Sequence, residues 1–477
     1  MPVAPAELRW HEEVDIGIVG AGGCGLAAAD AAAHDHLKVA VWERAKAAGG
    51  NTALSQGMVP GAGTRLQRDA GIFDSGEDLA RDILQRNGGH SDPTLTRQLC
   101  DRSAALVDWL VDEHRIPLRL LASVGDPGHS RRRLHAPLAR SGQPLIAGLL
   151  RTLERRGIRL RVSTPVLQLW TDDTGAVVGV QIKIPKKSAT NVRCAKLIIA
   201  SDGFAAHAEL LKQHCPGASG MPYAGAAGSS GDALTWAADV GALTQQLDSF
   251  HAYGPVAVGS NLIIPWELAA SGAIWVSQRG EPLGDAAVNP SAGCALLLSQ
   301  PGHLAYAVFD ANVLQHMSAR DSHFATEVVP RVARRADELA GLAKQFQIDP
   351  EALARTVADS NAAATVATDT VATHALAPPF YGIRITAALL QTHGGLAIDT
   401  NARVLRTDAT PVFNLYAGGG AAVGLSGPGS DGYLLGTGLL CALGWGKIAG
   451  EHAAQEVLAG RVVPAPAPPQ PEGDPVP

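Results

Sequence analysis

The chain has 477 residues, 46% of them apolar and 18% charged, and a formal net charge of −6. That length exceeds what one compact core organises, so two or more domains are expected. A mildly acidic chain without a basic stripe argues against nucleic acid as a partner.

Taken in chain order, 14–19 (VDIGIV) reads as a buried strand. A glycine-rich turn and an alanine-rich helix to about residue 33 follow, and then a second strand over 39–42 that ends at Glu43. Together they make a βαβ unit of about 30 residues. Helical periodicity marks 78–87, 95–113 and 145–155. Strands are expected over 157–162, 166–170 and 177–182, with a short apolar strand at 197–200 and a helix over 231–240. From 247 to 374 the character changes. Strand-like pieces at 273–276 and 305–309 precede expected helices over 324–345 and 350–364, the composition of an inserted cap. Nucleotide-fold sequence is expected to resume at 380–385 and to run through a glycine-rich stretch into a helix over 436–457. The tail 461–477 is rich in proline and is expected to be disordered. Six cysteines are dispersed without a C-x-x-C pair, a zinc pattern or a haem-attachment motif. Dispersed thiols suit a reducing compartment. No basic and apolar leader opens the chain, and no stretch approaches the ~20 apolar residues of a membrane span. A cytoplasmic location with no membrane span is therefore expected.

Gly20, Gly22 and Gly25 form G-x-G-x-x-G, with Gly23 inside it. Such a motif alone is weak, but this one follows a strand, opens a helix and precedes a strand ending in an acid. Glycines at 20 and 22 let the backbone approach a pyrophosphate, and the helix N-terminus supplies amides and a positive dipole end. Glu43 would accept hydrogen bonds from ribose hydroxyls. The competing account is an ordinary tight turn with an unrelated surface glutamate. The fingerprint by itself leaves NAD and FAD both open.

Six further segments follow in order. They are Ala48 to Gly57 (AGGNTALSQG), Thr164-Pro165-Val166, Ala200 to Phe204 (ASDGF), Thr392 to Gly395 with Ile398-Asp399-Thr400, Leu415 to Gly419 (LYAGG), and Gly446 to Gly450 (GKIAG). Together they resemble the fumarate reductase / succinate dehydrogenase flavoprotein family, and within it the 3-ketosteroid dehydrogenase-like branch. The resemblance implies an α/β fold: a Rossmann-like FAD-binding domain with an inserted α+β substrate-capping domain. The FAD-binding parts would be 1–246 and 375–460, the cap 247–374, and the tail 461–477. It also implies FAD contacts from Gly20, Gly22, Gly23, Gly25, Glu43 and Arg44 in the fingerprint, and from Gly50, Asn51, Thr52, Gln56 and Gly57 in the next segment. Later contacts would come from Val166, Asp202, Gly419, Gly420, Gly436, Thr437 and Leu439.

Departures from the family pattern are informative. Where succinate dehydrogenases carry the His that binds FAD covalently, this chain has Asn51, whose amide is no nucleophile, so non-covalent FAD is expected. The ribityl-binding Glu that closes L-Y-A-A-G-E appears as Gly420, so that contact must come from elsewhere. The dicarboxylate-clamping positions are Gln391, Tyr433 and Pro290 here. Guanidinium forks recognise carboxylates well, and their loss argues against succinate or fumarate.

A Tyr in the last glycine-rich loop, Ser426 to Tyr433, resembles the ketosteroid branch. Tyr433 would polarise a carbonyl, helped by amides after Gly436, and Tyr253 or His393 would take the proton, with His251 behind Tyr253. The resemblance further suggests that Arg132, Arg133 and His135 form a cationic turn near substrate. The expectation is an FAD-dependent dehydrogenase or reductase acting on CH–CH bonds. It would introduce or reduce a C=C bond α,β to a carbonyl in a cyclic ketone or ketosteroid-like small molecule, with hydride transfer to flavin N5 and an electron acceptor the sequence does not name. The alternatives are a fumarate reductase-like enzyme of an organic acid clamped by Arg132, Arg133 or Arg384, a nicotinamide dehydrogenase, and a non-catalytic flavin-binding protein. No metal site is expected.

Overall fold

The computed structural model describes residues 3–5, 7–34, 36–121, 128–260, 262–284, 290–321, 323–364 and 375–461. Of the expected proline-rich tail, 462–477 lies outside the described residues, as does 365–374 at the end of the expected cap.

Strand β1 (Glu12–Val19) runs into the glycine turn, helix α1 (Gly23–Ala31) and strand β2 (Val39–Trp42). β1 and β2 pair in parallel, Val19 opposite Trp42. Their apolar runs are buried on both faces, as parallel sheets require. A Cβ at Gly25 would overlap the Gly20 carbonyl oxygen, so glycine there lets α1 close onto the end of β1. Helices Gly76–Arg86, Pro93–Asp112 and Gln143–Arg155 follow. Next come strands β3 (Arg159–Arg161), β4 (Val166–Thr171), β5 (Val177–Lys183) and β6 (Ala189–Ile199).

The intermediate region contributes β7 (Phe250–Ala257), β8 (Ile274–Val276), β9 (Ala305–Asp310) and β10 (Arg334–Ala336). The chain then returns through β11 (Phe380–Thr392), β12 (Arg403–Leu405), β13 (Pro411–Ala417) and the long helix α2 (Thr437–Arg461). The first sheet has eight strands in the order β12-β13-β6-β1-β2-β3, with β5 on β6 and β4 on β5. Its centre, β13-β6-β1-β2-β3, is parallel. The second sheet, β7-β11-β9-β8 with β10 also on β11, is antiparallel and encloses its own apolar core around Phe309, Phe324 and Ile383. Among the described residues no helix is long and apolar enough to cross a membrane.

Two expectations for local structure change. The helix expected over 324–345 is broken into Phe324–Val328, Val329–Val332, the strand β10, and Leu339–Phe346. Pro330 cannot donate to a continuing helix, and Arg334–Ala336 pairs with Gly382, Tyr381 and Phe380 instead. The strand expected at 197–200 is the end of a longer strand, β6, and that expected at 380–385 is the start of a longer one, β11, which pairs in the second sheet.

Candidate active site

A cleft opens across the carboxyl ends of β1, β2, β6 and β13 and continues to the β7–β11 edge of the second sheet. This is where open α/β sheets bind their ligands. Gly20, Gly22 and Gly23 line it after β1, Glu43 and Arg44 after β2, Ser201 and Asp202 after β6, and Gly419 and Gly420 after β13. Gly22 is the N-cap of α1, and no side chain caps that helix. Glu43 is held in place by the backbone. Its carboxylate accepts from the Ala21 amide at 2.7 Å and the Ala45 amide at 2.7 Å. Arg44 crosses to the chain before the helix Asp232–Ala238, donating to Ser230 Oγ at 2.6 Å and pairing with Asp232.

Gly50, Asn51, Thr52 and Gln56 line the middle of the cleft, with Val166 and Leu439 on its walls and Gly436 beyond. Thr52 Oγ1 accepts from the Gly23 amide at 3.1 Å and so ties this segment to the fingerprint. Asn51 does two things: its Nδ2 donates to Asp202 Oδ2 at 2.7 Å and its Oδ1 accepts from the Ala226 amide at 2.7 Å. Ser229 Oγ also donates to Asp202 Oδ2, at 2.6 Å. Cys24 lines the cleft too, but burial pushes its thiol well above the ordinary range and keeps it neutral.

Three expected contact residues do not line the cleft. Gly25 serves the packing of α1 described above. Gly57, at φ +69°, turns the chain against the Ser141 carbonyl. Thr437 is buried and spends its hydroxyl on the Leu434 carbonyl at 2.7 Å, capping the loop that leads into α2.

At the far end, an aromatic cluster assembles from three elements. His251 on β7 lies directly opposite Gln391 on β11. The loop before α2 brings Tyr433 over it and is pinned to β7 by Ser430 Oγ, which accepts from the Ala252 amide at 3.0 Å. The Tyr433 ring stacks on His251 with centroids 4.0 Å apart and on His393 with centroids 4.8 Å apart. Gln391 Nε2 is 3.5 Å from His393 Nε2. The Tyr433 phenol oxygen accepts from the Gly438 amide at 3.4 Å, at the first turn of α2. Burial lowers the His393 pKa from its ordinary 6.5 to about 4. Burial, with the neighbouring His393, lowers that of His251 to about 3. Both imidazoles are therefore neutral near pH 7. His251, Tyr253 and Tyr433 line both this end and a smaller adjoining mouth shared with Arg86, Trp266, Glu267 and Leu435.

The expected catalytic residues fare differently. Tyr433 reaches the cleft, whereas His393 stands behind it and does not line it. The Tyr253 hydroxyl donates to the Ile264 carbonyl at 3.1 Å and accepts from the Trp266 amide at 3.0 Å. A phenolate there would face a carbonyl oxygen, so the position does not suit a base. The expected cationic turn is absent from the cleft. Arg133 is fully buried between Asp74 and Asp82, Arg132 donates to the Leu121 carbonyl, and His135 is buried 3.0 Å from Thr64 Oγ1. Arg384 is exposed on β11. Residues the sequence did not single out include Ser229, Ser230 and Asp232. They lie 175 to 190 positions from their partners Asn51 and Arg44, and only the Ser-Ser-Gly-Asp run before a helix hinted at them.

The family model described as an FAD binding domain matches residues 15–432, and the chain belongs to that family. It is similar to the fumarate reductase (cytochrome) of Shewanella frigidimarina, 29% identical over 453 residues that cover 93% of this chain and 78% of that protein. In structure it is similar to the open conformation of a flavocytochrome c3 fumarate reductase, with a TM-score of 0.82 at 25% identity, covering 94% of this chain and 79% of the other. It shares its fold with the 3-ketosteroid-Δ4-(5α)-dehydrogenase of Rhodococcus jostii RHA1, with a TM-score of 0.72 at 24% identity over 95% and 99% of the two chains. The protein is an FAD-dependent oxidoreductase. The cleft fits that cofactor: small residues meet an uncapped helix N-terminus for the pyrophosphate, and carboxylates held by neutral donors flank it.

Proposed function

We propose that the protein introduces or reduces a C=C bond α,β to a carbonyl in a cyclic ketone or ketosteroid-like molecule. The observation that carries this reading is the Tyr433 phenol, stacked on two neutral imidazoles at the first turn of α2. FAD, when bound, supplies the two-electron hydride acceptor or donor. Tyr433 hydrogen-bonds the substrate carbonyl. The hydrogen bond it accepts from the Gly438 amide makes it a stronger donor, and the positive end of α2 favours the enolate-like charge that develops. His251 lines the cleft in its neutral form and is placed to exchange the α-proton. His393 is a positioning residue behind Tyr433. Tyr253 fixes the backbone of Ile264 and Trp266 in the mouth. Non-covalent FAD is part of the proposal, because the amide of Asn51 is engaged in holding Asp202 and Ala226. The test is a panel of ketones and enones offered with an artificial electron dye and read as bleaching or recovery of flavin absorbance. No response to any member would overturn the reading.

A second reading, reduction of an organic acid, is favoured by the fumarate reductases among the relatives and by Arg86, whose guanidinium lines the mouth and donates to the Tyr433 carbonyl at 3.2 Å. Competitive inhibition by malonate-like diacids, lost in Arg86→Met, would favour it over the ketone.

A further inference from the structure

Three acids line the cleft: Glu43, Asp202 and Asp232. Asp232 is paired with Arg44. The donors to the other two are neutral among the described residues: the Ala21 and Ala45 amides for Glu43, and Asn51, Ser229 and the Gly203 amide for Asp202. The strand order places them symmetrically. Glu43 follows β2, Asp202 follows β6, and β1 with its glycine turn runs between. Adjacent strands lie ~4.8 Å apart, so the two turns that carry these carboxylates flank the N-terminus of α1 about 10 Å apart. A carboxylate is an acceptor only and repels phosphate. On either side of a pyrophosphate it must therefore meet the hydroxyl-bearing parts of the dinucleotide.

Asp202 holds a left-handed backbone, φ +69°, that turns its side chain into the cleft. Its Oδ1 accepts from Gly203 at 2.9 Å, and a Cβ at Gly420 would overlap that oxygen and lie 2.8 Å from the Gly203 nitrogen. The space a side chain at 420 would need is filled by the Asp202 carboxylate. We infer that Asp202 receives a hydroxyl of the flavin's polyol chain from the place a side chain at position 420 would otherwise occupy, with Asn51 and Ser229 as positioning residues. Glu43 takes the ribose on the other flank.

The experiment measures FAD affinity by flavin fluorescence and ADP affinity by calorimetry, using apoprotein of the full chain. Glycine suits the positive φ at 202, so Asp202→Gly removes the carboxylate without straining the backbone. It should weaken FAD roughly 10- to 100-fold, the range for a hydrogen bond to a charged group, and leave ADP unchanged. Glu43→Gln should weaken both ligands. Ser229→Ala should show a weaker loss confined to FAD. The inference is overturned if Asp202→Gly binds FAD within about twofold of the parent, or if it loses ADP equally.

Discussion

The Tyr433 phenol ring lies on the imidazole of His251 with centroids 4.0 Å apart and planes 23° apart. The pair is built from elements 182 positions apart and is held by the Ser430 clasp on β7. Stacking fixes where the phenol oxygen points, and orientation is what a polarising donor contributes.

Tyr433→Phe keeps the stack and removes the donor. One donor to a developing oxyanion contributes about 3 kcal/mol, so flavin reduction by a ketone substrate should slow roughly 10²-fold. Stopped-flow absorbance measures it, and an unchanged rate would remove Tyr433 from the chemistry.

His393 titrates near about 4 in the folded chain, against its ordinary 6.5. Above pH 6.5 neither the folded nor the unfolded form binds that proton, and the residue adds no slope. As the pH falls from 6.5 toward 4, the unfolded state takes the proton first and stability drops. His393→Gln should flatten the decline in thermal midpoint over that window and leave it unchanged near pH 8.

Neutral imidazoles also shape the rate profile. With His251 held near about 3, flavin reduction should show no inflection from an imidazole between pH 5 and 8. A clear inflection near 6.5 would mean that substrate binding raises the His251 pKa or that another base acts.

The buried guanidinium of Arg133 is shared by Asp74 and Asp82. Asp74→Ala leaves it half-paired away from water and should cost about 3–5 kcal/mol, read as a lower denaturant midpoint. FAD affinity of the folded fraction should not change, because Arg133 is outside the cleft.

Acid precipitation of purified protein should leave the yellow colour in the supernatant, the expected outcome for FAD held without a covalent bond at Asn51. Colour retained in the pellet would refute non-covalent attachment.

The nucleotide half of this fold was legible because its information is local. Gly20, Gly22 and Glu43 sit in one βαβ unit, where the glycines and the acid read in a single window. The remote end was less so. Arg133 and His135 resembled a cationic turn, and only the fold shows that Asp74 and Asp82 have already neutralised it. Tyr253 is singled out by the family resemblance, yet its hydroxyl bonds to Ile264 and Trp266 arise from a loop the periodicity leaves unassigned. His251 was placed second to Tyr253, and it is cross-strand pairing with Gln391 that brings it to the cleft wall.

β11 belongs to two neighbourhoods. Its early residues pair with β9 on one side and β10 on the other, its later residues pair with β7, and its last residue, Thr392, accepts from the Phe204 amide at 3.1 Å beside the Asp202 turn. A strand anchored at both ends acts as a lever. Substitutions at Ile263, Trp266 or Glu267, which line the outer end of the site away from that turn, can retailor its wall at little cost to cofactor retention. A change in the register of β11 would be felt at both ends at once. The architecture thus separates the parts of the chain on which substrate range can drift from the one strand on which it cannot.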